Sequence, residues 1–189
     1  MGSVIELEVA NLHERHGRAL LRYAVSLARR EDVASDAVQE AFLRYFVERR
    51  YGRVIQNPPA WLFHVVRNYV RDRLKAFPVH LEVEPEVLDR LPATQRNPEE
   101  AARDSETARQ LAATLTDREL ECFSLRAEGL SYDEIGVVME IRPGTVGAVL
   151  SRVHQKLAKA TGPPPKKSIL EIARALPYVV RGKWAYTSS

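Results

Sequence analysis

The stretch Gly129–Leu157, which reads GLSYDEIGVVMEIRPGTVGAVLSRVHQKL, decides the fold of one half of this 189-residue chain. Ser131 followed three residues later by Glu134 is a capping box, in which a hydroxyl and a carboxylate satisfy backbone amides at a helix start. A turn at residues 140–142 separates this helix from a second one, because Pro143 suits a first helical turn. Two short helices joined in this way have the spacing of a helix-turn-helix.

The same module contains another capping box, formed by Thr116 and Glu119. Four apolar residues are expected to fill the angle between the two helices of the helix-turn-helix: Ile135, Val138, Val146 and Leu150. In a DNA-binding unit of this kind the second helix lies in the major groove, and its N-terminal end, here Thr145, meets phosphate. An ordinary helical hairpin with a solvated basic face is the alternative interpretation of this segment.

The first 76 residues predict three amphipathic helices. Apolar residues recur at helical spacing between Leu12 and Leu27 and again between Val33 and Tyr45. After the breaker Asn57-Pro58-Pro59, a third helix is predicted from near Ala60. Because no stretch of useful length alternates with a period of two, the predicted fold class is all-α.

Charge and proline content divide the chain into two small helical domains. Residues 1–76 form the first domain and residues 99–161 the second, and basic residues outnumber acidic ones from Arg44 to Lys75 and from Ile141 to Lys167. The connector between them, residues 77–98, is acidic and contains proline, which is typical of a linker. Residues 162–189 are predicted to be a tail with one short helix at 168–176. This tail is either partly disordered or a helix that packs on the second domain or on a partner.

Two helix faces of the first domain are candidate binding surfaces. One face of the second helix carries four residues at spacings of i, i+3, i+4 and i+7: Asp36, Gln39, Glu40 and Leu43. The third helix carries a basic row at intervals of four, opposite its apolar stripe: Arg67, Arg71 and Lys75. The first face could dock a partner, and the basic row could follow a phosphate backbone. A merely solvated face is the alternative for each of them.

Several functional classes are unsupported by the sequence. The single cysteine, Cys122, excludes an internal disulfide framework and is expected to be a buried small hydrophobe. The five histidines are scattered, and no nucleophile motif or phosphate-cradling loop is present, so we expect no metal, no cofactor and no enzyme. No secretory signal and no long apolar run is visible, which predicts a cytoplasmic chain without membrane insertion.

The motifs resemble a known family. Residues 36–44 (DAVQEAFLR), 59–62 (PAWL) and 66–74 (VRNYVRDRL) resemble region 2 of extracytoplasmic-function (ECF) sigma factors of bacterial RNA polymerase. Residues 115–119 (LTDRE), 129–136 (GLSYDEIG), 144–146 (GTV) and 151–152 (SR) resemble region 4 of the same family. The resemblance runs from about residue 10 to about residue 160, and it includes a linker in the right place.

The resemblance implies a role for each surface. Region 2 would dock on the beta-prime clamp helices of core RNA polymerase through Asp36, Gln39, Glu40 and Leu43. The minus-ten element of promoter DNA would be held by Arg53, Asn57, Arg67, Asn68, Arg71, Arg73 and Lys75. The minus-thirty-five element would be read by Arg142, Thr145, Gly147, Ala148, Val149, Ser151, Arg152 and Lys156. Region 4 would also hold the beta flap, and the family implies an anti-sigma factor as a further partner.

One departure from the family pattern concerns the helix that would read the minus-thirty-five element. Where the family usually has Lys-Ser-Arg after Gly-Thr-Val, this chain has Gly147-Ala148-Val149. A phosphate-contacting lysine and a base-reading arginine are therefore missing. We expect recognition to rest on DNA shape, on Thr145, and on thymine-methyl contacts that Ala148 or Val149 could make.

Two other functions compete with the sigma interpretation. The first is a transcriptional regulator that binds duplex DNA through residues 116–160 and uses the N-terminal domain for sensing or dimerisation. It predicts tight duplex binding without polymerase, whereas a sigma factor binds weakly until core enzyme is present. The second is an enzyme, which the scattered histidines and missing motifs disfavour.

Overall fold

The computed structural model describes residues 4–28, 30–76 and 114–161, and these residues contain six α-helices and no strand. The first three helices are α1 (Val4–Ala28), α2 (Glu31–Arg50) and α3 (Pro58–Ala76). The next three are α4 (Asp117–Ala127), α5 (Tyr132–Met139) and α6 (Pro143–Thr161). The all-α prediction is confirmed for this part of the chain. The predicted linker, residues 99–113 and the tail lie outside the described residues.

Helices α1, α2 and α3 form a bundle in which each helix contacts the other two. Its centre holds the large, fully buried side chains of Tyr23, Tyr45 and Phe63. The Tyr23 and Phe63 rings lie 5.3 Å apart between centroids, and Tyr45 meets Trp61 edge-on at 5.8 Å. Burial of one such side chain contributes about 1.5–3 kcal/mol, so this core is sufficient to fix the positions of the helix faces.

Helix α3 begins two residues earlier than the predicted start near Ala60. The Asn57 side-chain oxygen accepts a 3.1 Å hydrogen bond from the Ala60 amide, so Asn57 caps the helix. Pro58 and Pro59 lie in the first turn, where a missing N–H removes no helical hydrogen bond. The prolines therefore belong to the helix and not to the preceding loop.

Helices α4, α5 and α6 form the second domain. Both predicted capping boxes are present, at Thr116 with Glu119 and at Ser131 with Glu134. The helix-turn-helix core contains the four apolar residues predicted for it, each at most 1% exposed: Ile135, Val138, Val146 and Leu150. Helix α5 packs on α6, and α4 packs on both.

The two domains contact each other directly. Helix α3 packs against α5, and α1 contacts α4. Polar side chains cross this boundary at several points, among them Arg67 with Glu121 and Arg22 with Glu128. The domain contact therefore lies beside the helix α3 that carries the predicted minus-ten residues.

Candidate nucleic-acid interface

The turn of the helix-turn-helix sets the angle of α6. Glu140 ends α5 in the left-handed conformation, with φ 57°. The Ile141 amide donates to the Gly136 carbonyl at 2.9 Å, and the Glu140 amide donates to the Val137 carbonyl at 3.4 Å. Together these bonds form a Schellman motif, which satisfies carbonyls at a helix end.

Most predicted minus-thirty-five residues lie on the accessible side of α6 and its turn. The exposed members are Arg142, Ala148, Ser151 and Arg152, while Thr145, Gly147 and Lys156 are partly buried. Val149 is only 2% exposed and belongs to the core. Its position three residues after Val146 places it on the packed face of the helix. The prediction that Val149 contacts a thymine methyl group is therefore wrong.

Lys156 forms an ion pair within the second domain. Its ammonium donates at 2.6 Å to the buried Glu119 carboxylate, which also accepts from the Thr116 amide at 2.8 Å. Burial acts to raise the pKa of Glu119, but the hydrogen bonds from Lys156 and Thr116 outweigh it and hold that pKa below its usual value. Lys156 thus links the start of α4 to α6.

The basic row on α3 is divided between an exposed end and a buried start. Arg73 and Lys75 are exposed and Arg71 is partly exposed, as a DNA-binding row requires. Arg67 is only 6% exposed. Arg67 is buried although the sequence puts it in the row opposite the apolar stripe of α3, because the second domain covers that part of the row.

Arg67 is paired with the second domain. Its Nε atom donates to Glu121 at 2.6 Å, and the Tyr23 hydroxyl donates to the same carboxylate oxygen at 2.9 Å. Burial acts to lower the pKa of Arg67, but the Glu121 carboxylate outweighs it and raises that pKa. Burial is also the main cause that raises the pKa of Tyr23 well above its usual value. Arg67 therefore remains charged and Tyr23 remains protonated.

The other predicted minus-ten residues have polar partners as well. The Asn57 side-chain amide donates to Glu134 of the second domain at 2.9 Å. The Asn68 amide lies 2.9 Å from His64 Nε2 within α3. Arg53 is exposed and pairs with Glu48 at 2.7 Å.

The predicted docking face of α2 is accessible. Asp36, Gln39 and Leu43 are exposed, and the apolar side chain of Leu43 is 58% exposed. Glu40 is partly buried and accepts from Arg44 at 2.6 Å. The four residues therefore form one accessible surface with an apolar side chain at one end.

Both domains of the chain are similar to known protein families. The sigma-70 region 2 family model matches residues 12–76, and the model described as bacterial regulatory proteins, luxR family, matches residues 113–161. The ECF RNA polymerase sigma factor SigE of Mycolicibacterium smegmatis is 31% identical over 156 residues, which cover 77% of this chain and 58% of SigE. The chain contains a sigma-70 region 2 domain and is similar to ECF sigma factors across both of its domains.

Other ECF sigma factors show the same similarity. BldN of Streptomyces coelicolor is 31% identical over 156 residues, which cover 78% of this chain and 58% of BldN. EcfG of Rhodopseudomonas palustris is 28% identical over 142 residues, which cover 74% of this chain and 77% of EcfG. The matches thus span 58% of the length of the first two relatives.

A solved structure supports the fold. RpoE of Bartonella quintana, crystallised in complex with the anti-sigma factor NepR, superposes with a TM-score of 0.54 at 24% identity. The superposition covers 79% of this chain and 96% of that one. Both chains therefore share a fold over the superposed part.

The part of the chain that the structure describes contains no cluster of three or more His, Cys, Asp or Glu side chains able to hold a metal. Cys122 is buried, as predicted, and burial raises the pKa of its thiol to about 12. None of its described helices combines the length and apolarity needed to cross a membrane. Sigma factors as a family are not enzymes.

Sequence patterns did not indicate the residues that join the two domains. Glu121 of α4 accepts from Arg67, 54 residues away, and Glu128, which caps the end of α4, accepts from Arg22, 106 residues away. No local signal could have found these pairs, because both acids look like ordinary surface residues of an amphipathic helix.

Proposed function

We propose that this sigma factor binds core RNA polymerase, recognises minus-ten and minus-thirty-five promoter elements, and supports promoter melting and initiation. The observation that carries the proposal is the presence of a sigma-70 region 2 match and a helix-turn-helix in one chain. Region 2 alone would leave the chain without a domain that recognises double-stranded DNA. A helix-turn-helix alone would fit many transcriptional regulators.

Residues on the described surfaces support each proposed step. The α2 face with Asp36 and Leu43 offers mixed polar and apolar contacts for the clamp helices of the beta-prime subunit. The exposed Arg73 and Lys75 and the partly exposed Arg71 on α3 supply positive charge for the minus-ten strand. An unpaired base captured there must leave the stack, at a cost of a few kcal/mol that phosphate contacts help to offset.

For the minus-thirty-five element, the proposed reader is the exposed side of α6. Arg142 at its start and Arg152 farther along are placed for phosphate or base-edge contacts. Ala148 is the exposed apolar residue between them. Because Val149 is buried, we propose that Ala148 makes the thymine-methyl contact.

Run-off transcription tests this function directly. Genomic DNA fragments are transcribed by core RNA polymerase with and without the protein, and the start sites are mapped. We expect new, sharply defined starts that share two upstream elements. The chain is proposed to act in the cytoplasm, on core polymerase. Absence of any start that depends on the protein would contradict the proposal.

A helix-turn-helix regulator is the second candidate, favoured by the luxR-family match at residues 113–161. It predicts tight, sequence-specific duplex binding by the protein alone. Footprinting without polymerase distinguishes the two functions, because a sigma factor gives a footprint only with core enzyme.

An anti-sigma factor is also proposed as a partner. Its support is that the solved relative RpoE was crystallised with one, the anti-sigma factor NepR. Addition of a purified candidate partner should abolish the protein-dependent starts in the run-off assay. If added core polymerase fully restored the lost starts, the partner and core polymerase would be competing for the α2 face.

A further inference from the structure

The loop between α2 and α3, residues 51–57, is fixed to the end of α2. Gly52 has a positive φ of 78°, and its amide donates to the Arg49 carbonyl at 3.0 Å. The Arg53 amide donates to the Glu48 carbonyl at 3.1 Å. Together these bonds form a Schellman motif, which fixes the direction in which the chain leaves the helix. Arg53, one of the residues proposed to hold minus-ten DNA, is therefore placed by the end of α2.

A side chain of α2 also holds a carbonyl of this loop. Nη1 of Arg49 donates to the Arg53 carbonyl oxygen at 2.8 Å. Nε and Nη2 of the same guanidinium donate to the Glu8 carboxylate of α1 at 3.1–3.2 Å. Arginine can make both contacts at once because its donors form a planar fork. Arg49 therefore connects the N-terminal part of α1 to the loop.

Glu8 is in turn oriented by the core of the first domain. The hydroxyl of the fully buried Tyr45 donates to Glu8 Oε1 at 2.6 Å. This hydrogen bond is the main cause that lowers the pKa of Glu8, and the hydrogen bonds to Glu8 raise the pKa of Arg49. Burial is the main cause that raises the pKa of Tyr45 to about 12. Glu8 and Arg49 are therefore both charged at neutral pH, and Tyr45 remains a donor.

The rest of the loop is held at two further points. Ile55 is partly buried and packs against the core. The Asn57 side-chain oxygen accepts from the Ala60 amide at the start of α3. The side chains of Val54 and Gln56, on either side of Ile55, are exposed. The loop thus presents a short exposed segment on a backbone that is held at both ends.

A loop that is fixed before binding favours selective capture of an unpaired base. Ordering of a flexible backbone opposes binding, because conformational entropy is lost when the ligand binds. A loop that is already in place avoids this cost. Flexible surfaces also adapt to wrong ligands, so a fixed surface discriminates better. Residues that fix the loop therefore contribute to selectivity without contacting DNA.

We propose that Glu8 is a positioning residue for the minus-ten site: through Arg49 it holds the α2–α3 loop in the conformation that selects the unpaired base. Glu8 lies before the segment that the sigma-70 region 2 model matches, residues 12–76. Neither Glu8 nor Arg49 belongs to a proposed DNA-binding or polymerase-binding surface. The inference deepens the proposed function and rests on the minus-ten role proposed for Arg53 and Asn57.

The first measurement is the mobility of a spin label on the loop of the full chain. The label is attached at Val54→Cys, an exposed position, and the buried Cys122 is protected from labelling. Glu8→Gln removes the carboxylate charge, and the matched control Glu14→Gln removes an exposed carboxylate from the same helix. A label at the exposed Gln155→Cys on α6 reports any general loosening of the chain.

The second measurement is selectivity for the bases of the minus-ten element. Run-off transcription with core polymerase is repeated on promoter fragments that carry each base at each minus-ten position. The ratio of starts from the preferred base to starts from the other bases is measured, and the same ratio at the minus-thirty-five element is the internal control. A role in stability alone would lower all starts together, whereas a role in positioning the loop changes only the minus-ten ratio.

We expect Glu8→Gln to increase the mobility of the loop label and to lower the minus-ten ratio by about three- to tenfold, which corresponds to the ordering of one or two side chains. Arg49→Lys should act in the same direction, because lysine keeps the charge but lacks the fork that contacts both Glu8 and the Arg53 carbonyl. Glu14→Gln should match the wild type in both readouts, and the label at Gln155→Cys should be unchanged. Circular dichroism checks that each variant keeps its helical content.

Two results would overturn the inference. One is a loop label whose mobility stays at the wild-type level in both Glu8→Gln and Arg49→Lys. The other is an increase in mobility with an unchanged minus-ten ratio. Absence of protein-dependent starts with the wild-type chain would instead reject the proposed function. The mobility of the label would in that case still decide whether Glu8 positions the loop.

Discussion

The Ile141 amide donates a 2.9 Å hydrogen bond to the Gly136 carbonyl, and the Ile141 carbonyl lies close above the Gly136 Cα. A Cβ atom at Gly136 would lie only 2.8 Å from that carbonyl oxygen, which is too close without movement of the backbone. Gly136 is therefore required by the tight turn that positions α6.

Gly136→Ala should destabilise the second domain by about 1–3 kcal/mol, because overpacking against backbone cannot be relieved by a rotamer change. The measurement is urea denaturation followed by circular dichroism. Gly147→Ala is the matched control, since its Cβ would lie 3.6 Å from the Tyr132 ring, an ordinary contact. Within helix α6 it should raise stability by about 0.5–1 kcal/mol. Equal effects of the two substitutions would contradict this account.

Glu140→Gly should stabilise the helix-turn-helix by about 0.5–1 kcal/mol, because glycine adopts a positive φ without a Cβ penalty. Thermal denaturation of the variant and the wild type measures the gain. Glu140→Gln keeps the backbone strain and removes only the charge, so it should show no such gain. A gain of equal size in Glu140→Gln would assign the effect to charge instead of backbone conformation.

Stability in acid should depend on Glu119. Its pKa in the folded chain lies below the usual value because hydrogen bonds from Lys156 and Thr116 outweigh burial. Its contribution is therefore complete above the unfolded pKa of about 4.3 and is lost as the pH falls through the lower, folded pKa. Glu119→Gln should lower the free energy of unfolding by about 1–3 kcal/mol at pH 7. It should also reduce the further loss of stability as the pH falls.

Denaturation midpoints measured from pH 7 down to pH 3 check the Glu119 prediction. Glu14→Gln, at an exposed position on α1, serves as the control and should follow the wild-type curve. If Glu119→Gln and the wild type lost stability in parallel as the pH fell, protonation of Glu119 would not explain the loss of stability in acid.

A lysine at Gly147 should strengthen duplex binding at the minus-thirty-five element. The position is partly exposed on α6, and a Cβ there meets only ordinary contacts. One added phosphate contact should steepen the dependence of log affinity on log salt by about one unit. The measurement is a salt titration of promoter binding with core polymerase present.

The control for Gly147→Lys is Leu7→Lys, which adds the same charge at an exposed site on α1. It should leave the salt dependence at the wild-type value. Val149→Arg is unsuitable as a restoring substitution, because it would place a guanidinium in the core of the second domain. An unchanged salt slope in Gly147→Lys would remove this part of α6 from the DNA contact.

Local patterns were sufficient to predict the helices. The capping boxes at Thr116 and Ser131 were readable because each joins residues only three apart. The helix-turn-helix core followed from apolar spacing alone, and Val138 and Val146 are buried as predicted. The start of α3 was placed too late because the capping role of Asn57 before two prolines was not recognised.

Residue roles on helix faces were less predictable than the helices. Val149 was interpreted as a base contact by analogy with a family position, yet its register places it in the core. Arg67 was interpreted as exposed because α3 alone leaves it on the polar side. Periodicity identifies the face that packs within a domain, but it does not reveal a second domain that covers the opposite face.

The sequence by itself determined that the described domains are helical, that the second domain ends with a helix-turn-helix, and that the motifs resemble those of ECF sigma factors. Only the tertiary structure decided that Glu121 of α4 meets Arg67 of α3, 54 residues away along the chain. The physical reason is the separation of the interacting residues along the chain. Helix caps and helical periodicity depend on residues only a few positions apart. Domain docking depends on the shape and charge of whole surfaces, which exist only after each domain has folded.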